Sequence, residues 1–174
     1  MSKEKNLSKL FELQFSGLKF GNHDFEFDIP ETFFEVYPAF DFVSKGELKI
    51  NLSLEKKSTM LILNTKVKGN VTTACDRCGD DVATSIENDF KLIVKFGDKP
   101  FEDNDEIIQI PESSYKLELL NLFYEYILVS MPLRFVHEEG KCNKEVMDKL
   151  SNHLVEEEEE EKTDPRWDAL KNLK

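Results

Sequence analysis

The first two-thirds of the chain alternates between apolar and polar residues with a period of two. This alternation is typical of antiparallel strands that have one buried and one solvent-facing side. It therefore predicts a sheet of at least five strands. The apolar positions of the five segments are Phe11, Leu13 and Phe15; Phe25, Phe27 and Ile29; Leu48, Ile50, Leu52 and Leu54; Leu61, Leu63, Thr65, Val67 and Val71; and Phe90, Leu92, Val94 and Phe96.

Two connections interrupt this pattern. Residues 30–38 begin and end with proline and carry three aromatic residues, which predicts a short helical or turn connection. Residues 98–112 are rich in carboxylates, but they lack the glycine and the ligand spacing of an EF-hand. We therefore expect a solvated loop there.

After Pro111 the period changes to that of a helix. Ser113 or Ser114 is positioned to cap this helix, and Pro132 ends it. We expect a helix over 117–131 that packs on the sheet as part of the core. Its apolar face consists of Leu120, Phe123, Tyr124, Ile127, Leu128 and Met131.

The remaining residues predict a second short helix over 143–150, followed by a run of six glutamates over 156–161. A run of like charges repels itself and is typical of a solvated linker. The end of the chain predicts a short helix, with Pro165 at its first position and Trp167 on an apolar side beyond the linker. Such a segment is typical of peptide-like docking to a partner. The predicted partner-binding residues are Asp164, Pro165, Arg166, Trp167, Leu170 and Leu173.

Charge narrows the classes of partner. The 174 residues include 23 Lys and Arg against 35 Asp and Glu, a formal net charge of -12. An acidic protein repels phosphate backbones, so an ordinary high-affinity nucleic-acid module is excluded and a basic partner is favoured. No secretory signal or membrane-length apolar run is found, so we expect a cytoplasmic protein without membrane contact.

One compact cluster carries donor atoms for a metal. Cys75 and Cys78 form a C-x-x-C that is followed by a glycine, and His137 and Cys142, with four residues between them, follow the long helix. Together they would complete a tetrahedral Cys3His zinc site that joins the sheet to the later segment. The alternative is reduced thiols with no metal, and three cysteines are too few for a disulfide scaffold. A thiol-redox role is the third possibility, but the charges of Asp76, Asp80 and Asp81 would raise the thiol pKa and disfavour it.

Enzyme signatures are missing from the sequence. It contains no nucleophile elbow, glycine-rich phosphate loop or zinc-protease motif, and no small-molecule substrate is indicated. A basic minority on the outward strand positions could instead form a local RNA-facing surface, although ordinary solvated strand faces are the simpler interpretation. These residues are Lys49, Lys66, Lys68, Lys91 and Lys95, with Arg77 in the C-x-x-C turn.

Taken in order, four stretches resemble the YceD family, the large ribosomal RNA subunit accumulation proteins of bacteria and chloroplasts. They are Cys75–Gly79, Leu117–Pro132, His137–Cys142 and Asp164–Lys174. The resemblance implies a non-catalytic role in the accumulation of large-subunit ribosomal RNA and in ribosome assembly. The partners it implies are a precursor of the large subunit or its ribosomal RNA, and the acidic net charge favours a basic ribosomal protein of that particle. The other possibilities are an adaptor clamped by zinc and a thiol-redox protein that uses Cys75 and Cys78.

These patterns together predict an α+β fold. We expect one domain over residues 1–150, built as a curved antiparallel sheet or open barrel that the long amphipathic helix closes. An acidic flexible linker over 151–163 and a short C-terminal docking helix over 164–174 follow. The cofactor is either absent or a single zinc ion.

Overall fold

The protein is an α+β molecule built on one long, open sheet. The structure, a computed structural model, describes residues 2–97 and 106–153. Four helices occur among these residues: α1 (Ser2–Leu10), α2 (Glu31–Val36), α3 (Leu120–Ser130) and α4 (Lys144–His153). The strands are β1 (Glu12–Gln14), β2 (Gly21–Ile29), β3 (Val43–Lys56), β4 (Met60–Ala74), β5 (Asp81–Phe96), β6 (Ile107–Ile110) and β7 (Lys116–Glu118).

The main sheet has the order β2-β3-β4-β5-β6. The three junctions from β2 to β5 are antiparallel, as the alternation predicts, whereas β6 joins β5 in parallel. The prediction of an entirely antiparallel sheet is therefore wrong at the β6 edge. The two outer strands of the main sheet, β2 and β6, do not pair with each other, so the sheet is open.

The predicted apolar side of the sheet is the buried side. Leu48, Ile50, Leu52 and Leu54 of β3 are at most 2% exposed, and Leu61, Leu63, Val67 and Val71 of β4 are equally buried. Phenylalanines cover this side, and Phe11, Phe33, Phe40 and Phe123 are at most 1% exposed. Ring pairs such as Phe11–Phe123, with centroids 5.6 Å apart, fill the space by edge-to-face contact.

The connection over 30–38 is helical, as predicted. It forms α2 and then a 3-10 turn, Pro38–Phe40. Phe34 of α2 packs against β3 at Gly46, where a Cβ atom would lie 2.3 Å from the Phe34 ring. The missing side chain at this position is what lets α2 approach the sheet so closely.

The segment before α3 differs from its prediction because its partner is distant in sequence. Residues 116–118 form β7, which pairs with β1 in a separate two-stranded sheet, and Lys116 contacts Glu12 at 2.7 Å. The helix consequently begins at Leu120 rather than 117, and neither Ser113 nor Ser114 caps it. Within the acidic stretch predicted as a loop, residues 107–110 form β6.

Two helices also differ from the prediction. Helix α1 was not predicted, although its Leu7 is only 2% exposed and belongs to the core. Helix α4 matches the second predicted helix and continues to His153, so its last three residues are helical where a linker was expected. The rest of that linker lies outside the described residues. Of the helices described, none combines the length and apolarity needed to cross a bilayer.

Candidate metal centre

The turn between β4 and β5 is folded as a tight knuckle. The Cys75 N–H donates to the carbonyl of Asp80, and the Gly79 N–H donates back to the carbonyl of Cys75, each at 2.8 Å. Gly79 has a φ of 80°, which a glycine adopts without steric cost. This closed turn brings the side chains of Cys75 and Cys78 to the same end of the hairpin.

The segment after α3 is fastened to this knuckle through its backbone. The Asp76 N–H donates to the carbonyl of Phe135 at 2.8 Å, and the Phe135 N–H donates to the Asp76 carboxylate at 2.7 Å. This two-way clamp fixes the chain two residues before His137. The side chain of His137 therefore lies against the knuckle.

The four predicted donors meet at this junction. One ligand atom from each of Cys75, Cys78, His137 and Cys142 lies within 4.8 Å of all the others. The three cysteines are free thiols and are buried, and His137 is partly buried. The sequence predicted this set of residues, and the structure brings all four together.

The imidazole is oriented by a backbone group. Nε2 of His137 donates to the carbonyl of Asp81 at 3.1 Å, since a carbonyl can only accept. Nδ1 then faces Sγ of Cys78 at 3.4 Å. Histidine ligands in metal sites are held in this way, with one nitrogen on a backbone carbonyl and the other free for the metal.

The electrostatics of the cluster favour a thiolate. Burial opposes ionisation of Cys75, but the backbone N–H groups of Arg77, Cys78 and His137 point at its sulfur and lower its pKa to about 6. The hydrogen bond with Cys75 raises the pKa of His137. The expectation that neighbouring aspartates raise the pKa of this thiol was therefore wrong for Cys75. Backbone N–H groups are aimed at its sulfur, whereas the carboxylates of Asp76 and Asp80 accept hydrogen bonds from Phe135 and Asn143.

The thiol of Cys142 lies two residues before α4. Burial raises the pKa of Cys142, and the nearby sulfurs of Cys75 and Cys78 act in the same direction. Asn143 caps α4 through a bond from the Glu145 N–H at 3.1 Å, and its amide donates to the Asp80 carboxylate at 3.0 Å. The cluster thus ties three elements together: the β4–β5 hairpin, the segment after α3 and α4.

Two contributors to this site were not found from the sequence. They are the Asp76 carboxylate, which fastens the Phe135 backbone, and the carbonyl of Asp81, which orients His137. An aspartate inside a C-x-x-C is a visible signal for the first. A backbone carbonyl carries no side-chain signal, so the second could not have been found.

The basic residues proposed to face RNA do not share one environment. Lys49 contacts Glu26 at 2.8 Å and Asp28 at 3.2 Å, and Lys66 and Lys68 both contact Glu87, at 2.6 and 3.2 Å. These ion pairs neutralise the middle of the sheet's outer side. Lys91 lies exposed on β5, Lys95 lies near its end, and Arg77 points inward, with Nη1 3.9 Å from Sγ of Cys142.

The predicted partner-binding residues are all beyond the described part of the chain. They are Asp164, Pro165, Arg166, Trp167, Leu170 and Leu173.

Comparison with protein families supplies an independent finding. The family model described as the large ribosomal RNA subunit accumulation protein YceD matches residues 63–174. The matched stretch begins in β4 and includes all four cluster residues and the C-terminal segment. Comparisons with curated proteins and with solved structures gave no match.

Proposed function

This chain belongs to the YceD family of large ribosomal RNA subunit accumulation proteins, and from that membership we propose that it is a non-enzymatic cytoplasmic assembly factor. In this role it supports the accumulation of large-subunit ribosomal RNA by binding a precursor of the large subunit. The family match over residues 63–174 is the observation that carries the proposal.

Within the precursor, a basic ribosomal protein is the partner that the charges favour. The net charge of -12 repels a phosphate backbone, and the central lysines of the sheet are already paired with carboxylates. A basic surface would instead be attracted, and the attraction would speed encounter. Direct contact with ribosomal RNA then involves at most isolated cations such as Lys91.

The anchor in this proposal is the C-terminal segment. The six glutamates over 156–161 steer a basic partner towards it, and Trp167 supplies a large apolar side chain of the kind that dominates binding energy at interfaces. In the helix predicted from the sequence, the spacing of Leu170 and Leu173 would put both on the same side as Trp167.

We further propose that Cys75, Cys78, His137 and Cys142 bind one zinc ion. Three sulfurs and one imidazole nitrogen form a donor set that zinc prefers, and four protein ligands leave no open position for a substrate. The backbone carbonyl on Nε2 of His137 supports the same assignment. Such a closed site stabilises the fold, in keeping with a protein that binds rather than catalyses.

A thiol-redox function is the second candidate, and the lowered pKa of Cys75 favours it. Against it, all three sulfurs are buried, so an attacking partner cannot reach them without an opening of the fold. Treatment with a thiol-alkylating reagent separates the two roles. Rapid modification of Cys75 in the zinc-loaded protein would support the redox function, whereas protection by zinc supports the structural one.

The assembly proposal is tested by the substitution Trp167→Ala. We expect the variant to be absent from the sucrose-gradient fractions that contain large-subunit precursors, while its urea unfolding curve is unchanged. The variant Trp167→Phe is the matched control and should retain most of the association. Unchanged sedimentation of Trp167→Ala would remove the anchor role from this segment.

A further inference from the structure

Strand β2 forms one edge of the main sheet, and its outward backbone groups have no strand partner among the described residues. Among the described residues β2 pairs only with β3, over nine consecutive positions from Gly21↔Lys56 to Ile29↔Leu48. No other backbone hydrogen bond in the described structure involves these nine residues. Alternate N–H and C=O groups along β2 therefore point away from the sheet.

Apart from three carboxylates, this edge lacks the features by which proteins usually protect such strands. Protection normally comes from a short strand, a bulge, a proline or charged side chains, above all lysine, on the edge. Strand β2 is nine residues long, its register with β3 has no shift, and no proline or lysine lies within Gly21–Ile29. The backbone is consequently available for pairing with another chain.

The side chains of β2 define the chemistry of such a chain. On the outer side, Asp24, Glu26 and Asp28 form a row of exposed carboxylates, of which only Glu26 and Asp28 contact a lysine, Lys49. On the inner side, Phe25 and Phe27 are half-buried against the core. An added strand would therefore place cationic residues beside the carboxylates and apolar residues beside the phenylalanines.

An exposed aromatic ring lies at the start of the same edge. Phe20, directly before β2, is 72% exposed, and its only described ring contact is Lys56, with Nζ 5.9 Å from the ring centroid. Exposed rings of this size are frequent anchor points in peptide recognition. Phe20 gives one end of the edge an apolar contact for the added strand.

A second copy of the chain does not fit this edge. Two β2 strands laid side by side would set Asp24, Glu26 and Asp28 against the same carboxylates, and like charges on opposing strands are destabilising. Nucleic acid is disfavoured by the same charges.

We propose that β2 binds an extended segment of a basic protein by strand addition, with lysine or arginine alternating with apolar residues. The source of that segment, a basic ribosomal protein, rests on the function proposed above. Strand addition itself rests on the open edge, the row of carboxylates and Phe20. Backbone pairing supplies the affinity and the alternating side chains supply the specificity.

The test uses the full-length protein and a labelled nine-residue peptide in which lysine alternates with valine. Binding is measured by fluorescence anisotropy, and its location by amide hydrogen exchange. We expect the peptide to slow exchange in β2 rather than in the glutamate run. The same peptide N-methylated at alternate residues keeps its charge but loses the N–H groups along one edge, and it should bind at least about tenfold more weakly.

Two charge reversals distinguish binding at the β2 edge from binding on the outer side of the sheet. Asp24→Lys should lower the affinity about fivefold, because an attractive cross-strand pair becomes repulsive. Glu55→Lys is the matched control, since it reverses a carboxylate on the same side of the sheet but on β3, which at this position pairs with β2 on one side and β4 on the other. It should change the affinity by less than about twofold.

Several results would overturn the proposal. They are absence of binding, equal binding of the N-methylated peptide, equal effects of the two reversals, and protection located away from β2. Failure of the assembly function gives a different pattern. In that case the peptide still binds to β2, but large-subunit precursors do not purify with the protein.

Discussion

Cys75 illustrates how a residue's neighbours decide its chemistry. In the sequence it is surrounded by aspartates, which suggests a thiol that resists ionisation. In the fold the backbone N–H groups of Arg77, Cys78 and His137 are aimed at its sulfur, and its pKa is lowered to about 6. Donor identity could be read from the sequence because it depends on residue type. The pKa could not, because it depends on the direction of backbone dipoles.

The metal assignment is checked with a pair of histidine substitutions. His137→Ala removes a proposed ligand, whereas His23→Ala removes a histidine on β2 whose imidazole is hydrogen bonded, in the described structure, to the backbone carbonyl of Lys19. We expect one zinc per chain in the parent and in His23→Ala, by elemental analysis. His137→Ala should bind zinc more than about tenfold more weakly, because even the loss of an outer partner of a ligand costs that much. Equal zinc content in both variants would exclude His137 as a ligand.

The lowered pKa of Cys75 also predicts a pH dependence of the metal-free protein. The folded state binds fewer protons than the unfolded state between about pH 6 and 9, so stability from this thiolate is fully present above pH 9. It is lost as the pH falls towards 6. The raised pKa of His137 acts in the opposite direction, since its contribution is present at low pH and is lost as the pH rises.

We therefore expect the gap in unfolding free energy between the metal-free parent and Cys75→Ser to narrow as the pH falls from 9 to 6. Urea unfolding at several pH values measures this gap. The trend with pH is the signal, because the packing change from sulfur to oxygen is the same at each pH. A gap that widens towards pH 6 would contradict the ionised thiol.

At the scale of elements, the strands that show a local alternation were predicted, β1 included, whereas the short strands β6 and β7 were not. Strands β2 to β5 each carry enough alternating residues to show the pattern alone. Strand β7 has three residues and pairs with β1, about one hundred positions earlier, and β6 has four residues in parallel with β5. Such short segments gain their structure from the partner, which no local period reveals.

Helix α3 offers the clearest test of the packing. Phe123 is fully buried and contacts the rings of Phe11 and Phe27, whereas Val129 on the same helix is 69% exposed. Phe123→Ala should lower the free energy of unfolding by about 3–5 kcal/mol, because it leaves a cavity among these rings. Val129→Ala, the control, should change it by less than about 0.5 kcal/mol. Urea unfolding measures both changes. Similar losses of unfolding free energy in the two variants would contradict the packing of α3 against these rings.

At the scale of the whole molecule, the proposed function combines the family name, which concerns the large ribosomal subunit, with the net charge, which favours a basic protein. The outer side of the sheet balances its lysines with carboxylates, so it presents no continuous basic surface among the described residues. The chain as a whole keeps a net charge of -12. The proposed partner, a basic protein in the precursor particle, rests on this charge and on membership of the YceD family. The family could be identified from the sequence because its motifs can be recognised by their order along the chain, without the fold.

The central claim is tested most directly by recovering the tagged protein from its own cells at low and at moderate salt. RNA sequencing and mass spectrometry are then applied to the same eluate. We predict large-subunit ribosomal RNA precursors together with basic ribosomal proteins at low salt, and a loss of both as the salt rises, because screening weakens contacts between exposed charges. Recovery of the protein with neither ribosomal RNA nor ribosomal proteins at low salt would contradict the assembly function.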